Sequence, residues 1–150
     1  MISRRTLLSA AAVIVVGTPA CSSARRPEFT VYKTASCGCC GGWVDAMTRA
    51  GYAPKVIVVD DLTPLGTQHG VPFELSSCHL ATIGGYVTVG HVPPADVDRL
   101  LREKPRALGL TAPGMPMGSP GMEMPDGAKE PYDTLLLLPG GETRVFAHHA

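Results

Sequence analysis

The chain has 150 residues, with 13 basic and 13 acidic side chains, 17 glycines, 14 prolines and five cysteines. The sequence contains no basic patch with interleaved aromatic residues, which argues against nucleic acid as a partner. About 130 residues follow the export segment described next, a length that suits one domain with a single hydrophobic core.

Residues 1–24 have the features of an export signal. Arg4 and Arg5 precede an apolar stretch over residues 7–16, which is too short to span a membrane. The order Ser-Arg-Arg-x-Leu-Leu resembles a twin-arginine signal. Cys21 occupies the position of the lipid-modified cysteine of a bacterial lipoprotein, whereas a cut after residue 24 would discard Cys21 and release a soluble protein. Both alternatives predict export to the bacterial periplasm, and the first adds a lipid anchor in the membrane.

The first half of the exported portion predicts two strands and two helices. Residues 28–33 are a candidate strand, and residues 42–50 carry apolar side chains at helical spacing before a stop at Gly51. Residues 54–59 contain the run Val-Ile-Val-Val, which is typical of a strand buried on both faces of a parallel sheet. Residues 62–69 predict a short helix.

The second half predicts a hairpin, a helix and a further hairpin. Residues 79–83 and 86–89 are candidate strands joined by two glycines, a two-residue turn signal. Residues 94–104 predict a helix with proline near its first turn and proline beyond its end. Residues 105–133 are a loop rich in proline, glycine and methionine. A C-terminal hairpin is suggested by residues 134–138 and 143–147.

The order β-α-β-α-β-β-α, with cysteines between the first strand and the first helix, predicts a thioredoxin-like α/β fold. One domain over residues 28–147 would include the Pro/Gly/Met-rich extension and the C-terminal hairpin. A short right-handed crossover makes the first two strands parallel neighbours. The third strand of such a fold starts beside the N-terminus of the first helix. We therefore expect Cys78 and His79 to face the cysteines at the start of that helix.

Cys37, Cys39 and Cys40 predict sulfur chemistry at a helix N-terminus. The positive end of the helix dipole favours thiolate over thiol there, and thiolates both attack disulfides and bind Cu(I). Cys37 and Cys39 have a metal-type spacing, whereas Cys37 and Cys40 have the Cys-x-x-Cys spacing of thioredoxins. Because disulfide exchange needs only the second pair, the additional Cys39 and the facing Cys78 favour metal. Two structural disulfides, or a zinc site of three cysteines and a histidine, remain alternatives.

Histidines and methionines extend the candidate metal site. His79 follows Cys78 on a strand, where its side chain is expected on the opposite face unless a bulge intervenes. His91, in the turn before the last helix, is either a ligand or a turn donor. Met115 and Met122 begin two Met-x-Met pairs, and a thioether is a good Cu(I) ligand that needs no deprotonation. Trp43 is interpreted as a core residue or a wall of the cluster.

Several motifs in order resemble the CopG-type family of exported bacterial copper-associated proteins, long described as a domain of unknown function. The motifs are Thr30-Val31-Tyr32-Lys33-Thr34, Cys37-Gly38-Cys39-Cys40-Gly41-Gly42-Trp43, Gly70-Val71-Pro72, Ser77-Cys78-His79, Gly84-Gly85-Tyr86, Gly90-His91-Val92-Pro93, Pro113-Gly114-Met115-Pro116 and Gly118-Ser119-Pro120-Gly121-Met122-Glu123. The resemblance covers residues 28–147. It implies a thioredoxin-like fold, copper binding through the Cys-x-Cys-Cys and Cys-His elements, and a role in copper resistance. It supports His79 as a ligand, and it places Met115 and Met122, but not the second methionine of each pair, on a family motif.

Two function classes follow from these observations. The first is a periplasmic Cu(I)-binding protein that sequesters copper or hands it on, with a change in the redox state of the metal as an option. It takes several ions per chain and prefers copper to zinc. Copper-export or copper-oxidase proteins of the periplasm are its expected partners. The second is a thiol–disulfide oxidoreductase with Cys37 as the nucleophile and Cys40 as the resolving thiol.

Overall fold

The structure is a computed structural model that describes residues 26–150. The predicted export signal over residues 1–24 and the candidate lipidation site Cys21 lie outside the described residues. Within residues 26–150, no helix combines the length and the apolar character that crossing a membrane requires.

The described part of the chain has a mixed α/β architecture, as predicted, with one seven-stranded sheet and three α-helices. The elements are β1 (Phe29–Lys33), α1 (Gly38–Arg49), β2 (Pro54–Val58), α2 (Thr63–Gln68), a 3₁₀ turn (Phe73–Leu75), β3 (His79–Ile83), β4 (Tyr86–Gly90), α3 (Pro94–Glu103), β5 (Gly109–Ala112), β6 (Tyr132–Leu137) and β7 (Thr143–His149). The strands follow one another in the sheet as β2-β1-β3-β4-β5-β6-β7. The predicted order of strands and helices up to α3 is confirmed.

The register of β1 determines where the cysteines meet. β1 pairs in parallel with β2, as predicted, and antiparallel with β3, where Lys33 lies opposite His79. Because the last residue of β1 lies opposite the first residue of β3, the segment after β1 and the residue before β3 lie at the same end of these two strands. The cysteines of residues 37–40 and Cys78 are therefore brought together despite their separation in sequence.

Helix α1 begins four residues earlier than predicted, at Gly38 instead of Gly42. The glycines at its start lower helix propensity, which made the sequence look like a loop there. Tertiary contact overrides this local preference, because a side chain at Gly42 would lie 2.9 Å from the Cα of Gly121. Trp43 and Met47 are fully buried in the core, as predicted from their spacing.

Strand β2 is not buried on both faces, and this prediction was wrong. It lies at the edge of the sheet, where the side chains of Val56 and Val58 are 44% and 58% exposed. A short apolar run does not distinguish an edge strand from a central one, because the neighbours that cover a strand come from elsewhere in the chain.

The segment 105–133 is not entirely a loop, since it contains β5 (Gly109–Ala112). This buried strand pairs in parallel with β4 and antiparallel with β6. Gly109 allows the close pairing, because a Cβ there would collide with the backbone of Val87. β5 connects the C-terminal hairpin to the main sheet. The predicted hairpin is present as β6 and β7, which are longer than expected and contain an irregularity at Thr134/Leu135.

Candidate metal centre

Four cysteines converge at the N-terminus of α1. Cys37 is the N-cap residue, Cys39 and Cys40 lie in the first turn, and Cys78 precedes β3. Their sulfur atoms all lie within 4.8 Å of one another. The Sγ of Cys39 is 3.6 Å from the Sγ of Cys37 and 3.9 Å from the Sγ of Cys78. The predicted contact between Cys78 and the loop is therefore present in the structure.

The backbone around Cys37 places these sulfurs at the positive end of the α1 dipole. The chain turns after β1, and the backbone N–H of Cys37 donates to the carbonyl oxygen of Thr34 at 3.3 Å. No side chain caps α1, and its first turn contains no acidic residue. The positive end of the helix dipole is therefore not neutralised locally, which favours anionic sulfur at this position.

Cys37 and Cys40 form a disulfide, whereas Cys39 and Cys78 are free thiols. The Cys-x-x-Cys pair is thus in its oxidised form. Its reduction would provide four thiols within the same small volume. Because a disulfide sulfur is no longer a thiolate, the oxidised pair cannot contribute the strong ligands that the reduced pair can.

Two histidines close the buried side of the site. The Sγ of Cys78 lies 3.4 Å from the Nδ1 of His79 and 3.4 Å from the Nε2 of His91. Both imidazoles are fully buried. Although His79 was expected on the opposite face from Cys78, its Nδ1 contacts that sulfur. His91, which the sequence left between a ligand and a turn donor, also reaches it.

Trp43 forms a wall of this cluster and is not exposed to a substrate. Its ring centroid is 4.4 Å from that of His79, and its indole N–H donates to the carbonyl oxygen of Val92 at 2.8 Å. Among the described residues, the Nε2 of His79 is buried without a hydrogen-bond partner. His79 is therefore held mainly by packing, and its Nδ1 is directed at the Cys78 sulfur.

Burial determines the charges of the cluster. It lowers the pKa of His79 to about 3, with a smaller contribution from His91, and it also lowers the pKa of His91. Both rings are neutral at neutral pH and retain a lone pair for a metal. Burial, with a smaller contribution from Cys39, raises the pKa of Cys78 to about 11. A cation at that sulfur would offset the cost of deprotonation, since a coordinating thiol loses its proton.

A strap, which we define as residues 113–123, covers the N-terminus of α1. His91 Nδ1 donates to the carbonyl oxygen of Pro120 at 2.8 Å. Gly121 packs so closely on α1 that a Cβ there would lie 2.8 Å from the carbonyl oxygen of Cys39. The candidate ligands Met115 and Met122 lie on this strap, where Met115 is 44% exposed and Met122 is half-buried.

Two further histidines, His148 and His149, pair with carboxylates away from this site. His148 Nδ1 is 2.6 Å from a carboxylate oxygen of Asp133, and His149 Nε2 is 2.8 Å from a carboxylate oxygen of Asp96. The first pair joins β7 to β6, and the second joins β7 to α3. Sequence reasoning did not identify the Pro120 carbonyl as part of the site, because a backbone acceptor leaves no signature in side-chain spacing.

The donor atoms fit a soft metal ion. One set contains the four cysteine sulfurs, and a second contains Cys78, His79 and His91, so that Cys78 belongs to both. Thiolates prefer Cu(I) and zinc, and imidazoles suit copper and zinc. Two overlapping donor sets provide more ligands than a single tetrahedral ion requires.

Comparisons with known proteins agree with this chemistry. Residues 75–122, which include Cys78, His79, His91 and most of the strap, match a family described as protein of unknown function, DUF411. The chain is 36% identical to the solved structure of copper resistance protein copG, form 1, and covers 98% of it over 83% of this chain, with a TM-score of 0.77. For form 2 the identity is 35%, the match covers 99% of that structure and 83% of this chain, and the TM-score is 0.78. No protein with a curated description matches the chain.

Proposed function

Because the chain belongs to the CopG-type copper-resistance family, we propose that it binds Cu(I) and acts in copper resistance. The observation that carries this proposal is the convergence of four cysteine sulfurs and two buried imidazoles around Cys78. Soft thiolate and thioether donors favour Cu(I), the softer of the two ions. We therefore assign copper as the preferred ion and zinc as a weaker competitor.

The proposed ligands are Cys37, Cys39, Cys40 and Cys78 in the reduced protein, with His79 and His91 on the buried side. Since Cys78 belongs to both donor sets, its thiolate is placed to be shared between ions. We propose that more than one Cu(I) binds per chain. Met115 and Met122 are proposed as further thioether ligands on the strap.

The setting of this activity is also a proposal. The first seven strands and helices follow the order of a thioredoxin-like fold, in which a helix N-terminus holds reactive sulfur. Residues 1–24 would export the protein to the periplasm, and Cys21 would either carry a lipid anchor or be removed. Copper-export or copper-oxidase proteins of that compartment are the proposed partners.

A second candidate function is thiol–disulfide exchange. It is favoured by the disulfide between Cys37 and Cys40 at the N-terminus of α1, which is the arrangement that such chemistry requires. Cys37 would attack a substrate disulfide and Cys40 would resolve the mixed disulfide. This candidate gives no role to the free thiols of Cys39 and Cys78.

Anaerobic titration of the fully reduced mature protein with Cu(I), in competition with bicinchoninate, tests the proposal. We expect saturation above one ion per chain and a lower capacity in Cys78→Ser. Ser77→Ala is the matched control, because the Ser77 hydroxyl lies 3.9 Å from the Cys78 sulfur but provides no soft ligand. Saturation at a single ion that Cys78→Ser leaves unchanged would refute the shared site.

A further inference from the structure

The strap contacts the metal centre through its backbone. The carbonyl oxygen of Pro120 lies 2.8 Å from His91 Nδ1, and the next residue, Gly121, packs against the first turn of α1. The strap therefore connects the helix that carries Cys39 with the ring of His91.

The bond to Pro120 fixes the position of the proton on His91. A carbonyl oxygen only accepts, so Nδ1 must carry the hydrogen, and the neutral ring then has its lone pair on Nε2. That nitrogen lies 3.4 Å from the Cys78 sulfur. A ligand whose other nitrogen donates to a fixed acceptor is held in the orientation and tautomer that a metal requires.

His79 provides an internal comparison. Its Nδ1 is also 3.4 Å from the Cys78 sulfur, yet its Nε2 is buried with no hydrogen-bond partner among the described residues. Of the two rings that contact this sulfur, only His91 is fixed by a hydrogen bond from its distal nitrogen.

The Pro120 carbonyl is in turn held by the residues around it. The backbone N–H of Gly121 donates to a carboxylate oxygen of Glu123 at 2.9 Å. Gly121 has φ of +84°, a conformation that favours glycine, and its contact with Cys39 leaves no room for a side chain. On the other side of Pro120, the buried Ser119 hydroxyl donates to the carbonyl oxygen of Pro116 at 2.6 Å.

We propose that Glu123 is a positioning residue of the metal centre. By accepting the Gly121 N–H, it orients the Pro120 carbonyl, which holds His91 with hydrogen on Nδ1 and the Nε2 lone pair directed at Cys78. The consequence for copper affinity rests on the proposed function. The hydrogen bonds and the tautomer belong to the metal-free protein and do not depend on it.

The test compares Glu123→Ala with Glu123→Gln in the mature protein. Nitrogen-15 NMR of the imidazoles in the metal-free protein reports which nitrogen of His91 is protonated. We expect the Nδ1–H tautomer in the wild type and in Glu123→Gln, whose amide oxygen still accepts the Gly121 N–H. A mixture of tautomers is expected in Glu123→Ala, with Cu(I) affinity lower by about 10-fold or more.

Two comparisons make this result specific. Both Glu123 variants remove the carboxylate charge. If both lose the Nδ1–H tautomer and Cu(I) affinity to the same extent, the effect is due to charge and the positioning role is overturned. Glu130→Ala is the matched control, because it removes another carboxylate that accepts a backbone N–H of the strap, that of Met117 at 3.0 Å. If Glu130→Ala changes the His91 tautomer as much as Glu123→Ala does, the assignment to Glu123 is wrong.

The experiment also separates this inference from the proposed function. An Nε2–H tautomer of His91 in the metal-free wild type would overturn the inference whether or not copper binds. Failure of the wild type to bind Cu(I), with the Nδ1–H tautomer present, would refute the proposed function and, with it, the effect of Glu123 on affinity.

Discussion

Replacement of Gly121 by alanine separates steric fit from backbone strain at the strap. An alanine Cβ would lie 2.8 Å from the carbonyl oxygen of Cys39 and still closer to the backbone nitrogen of Trp43. Ordinary contacts of this kind begin at 3.4 Å. The strap must therefore retreat from α1 by about 0.6 Å to clear the Cys39 oxygen and by about 1.0 Å to clear the Trp43 nitrogen, since both atoms belong to backbone that cannot rotate away.

A displacement of that size is enough to break the link to His91. Where the retreat carries Pro120 away from His91, it would stretch the 2.8 Å bond between His91 Nδ1 and the Pro120 carbonyl to about 3.4–3.8 Å, beyond the usual range for such bonds. A buried donor without its partner costs roughly 1–3 kcal/mol of unfolding free energy. We expect Gly121→Ala to lose this amount in addition to the cost of placing alanine at positive φ.

Gly114→Ala is the control that measures the cost of placing alanine at positive φ, so that this cost can be subtracted. Gly114 lies on the same strap with the same φ of +84°, but no atom lies within 4 Å of its Cβ position. Urea unfolding of the two metal-free variants should therefore differ by roughly 1–3 kcal/mol, and only Gly121→Ala should alter the His91 tautomer. Equal unfolding free energies for the two variants would refute the close contact and the reasoning built on it.

Further predictions concern the cysteines and His79. If copper binding is the function, Cys39→Ser should impair copper-challenged growth as severely as Cys37→Ser does. Disulfide exchange instead predicts a mild effect of Cys39→Ser and severe effects of Cys37→Ser and Cys40→Ser. Unchanged growth of all three strains would contradict both functions. Mass-spectrometric mapping of the air-oxidised metal-free protein should find Cys37 joined to Cys40, with Cys39 and Cys78 alkylated as free thiols, and another dominant pairing would contradict the structure. Burial lowers the pKa of His79 from 6.5 to about 3, so between these pH values the unfolded chain binds more protons than the folded chain. The unfolding free energy should therefore fall as the pH decreases from 6.5 towards 3. The fall is at most about 1.4 kcal/mol per pH unit. Urea unfolding of the metal-free protein against His79→Gln isolates this contribution, and identical pH slopes would show that His79 is not protonated on unfolding in this range.

The contact between the cysteines was predictable because it depends on local signals at both of its ends. A strand followed by cysteines and an apolar helical face placed residues 37–40 at a helix N-terminus. A two-glycine hairpin marked the end of β3, so a strand of ordinary length starts next to Cys78, and its antiparallel pairing with β1 places Lys33 opposite His79. Each step uses short-range chemistry, and the topology brings the ends together.

Features that depend on distant neighbours were not predictable in the same way. The apolar run of β2 looked like a central strand, but whether a strand lies at an edge is decided by strands elsewhere in the sequence. β5 has only four residues in a proline- and glycine-rich segment, and its burial follows from β4 and β6 on either side. The hydrogen bond from His91 to Pro120 joins a side chain to a backbone carbonyl 29 residues away, and a backbone acceptor leaves no recognisable pattern of side chains in the sequence.

The two candidate functions are coupled because they use the same sulfur atoms. Reduction of the Cys37–Cys40 disulfide takes two electrons and two protons and creates the thiols that the proposed copper site needs. If Cu(I) binds only the reduced form, it stabilises that form by about 1.4 kcal/mol for each tenfold excess of free Cu(I) over its dissociation constant. For a two-electron couple this raises the reduction potential of the disulfide by about 30 mV per tenfold excess. If the proposed copper site is correct, copper would shift the disulfide towards its reduced state, and oxidation would lower the capacity for copper. The free thiols of Cys39 and Cys78 and the two buried imidazoles remain in both states, so the site retains part of its ligand set when the Cys-x-x-Cys pair is oxidised.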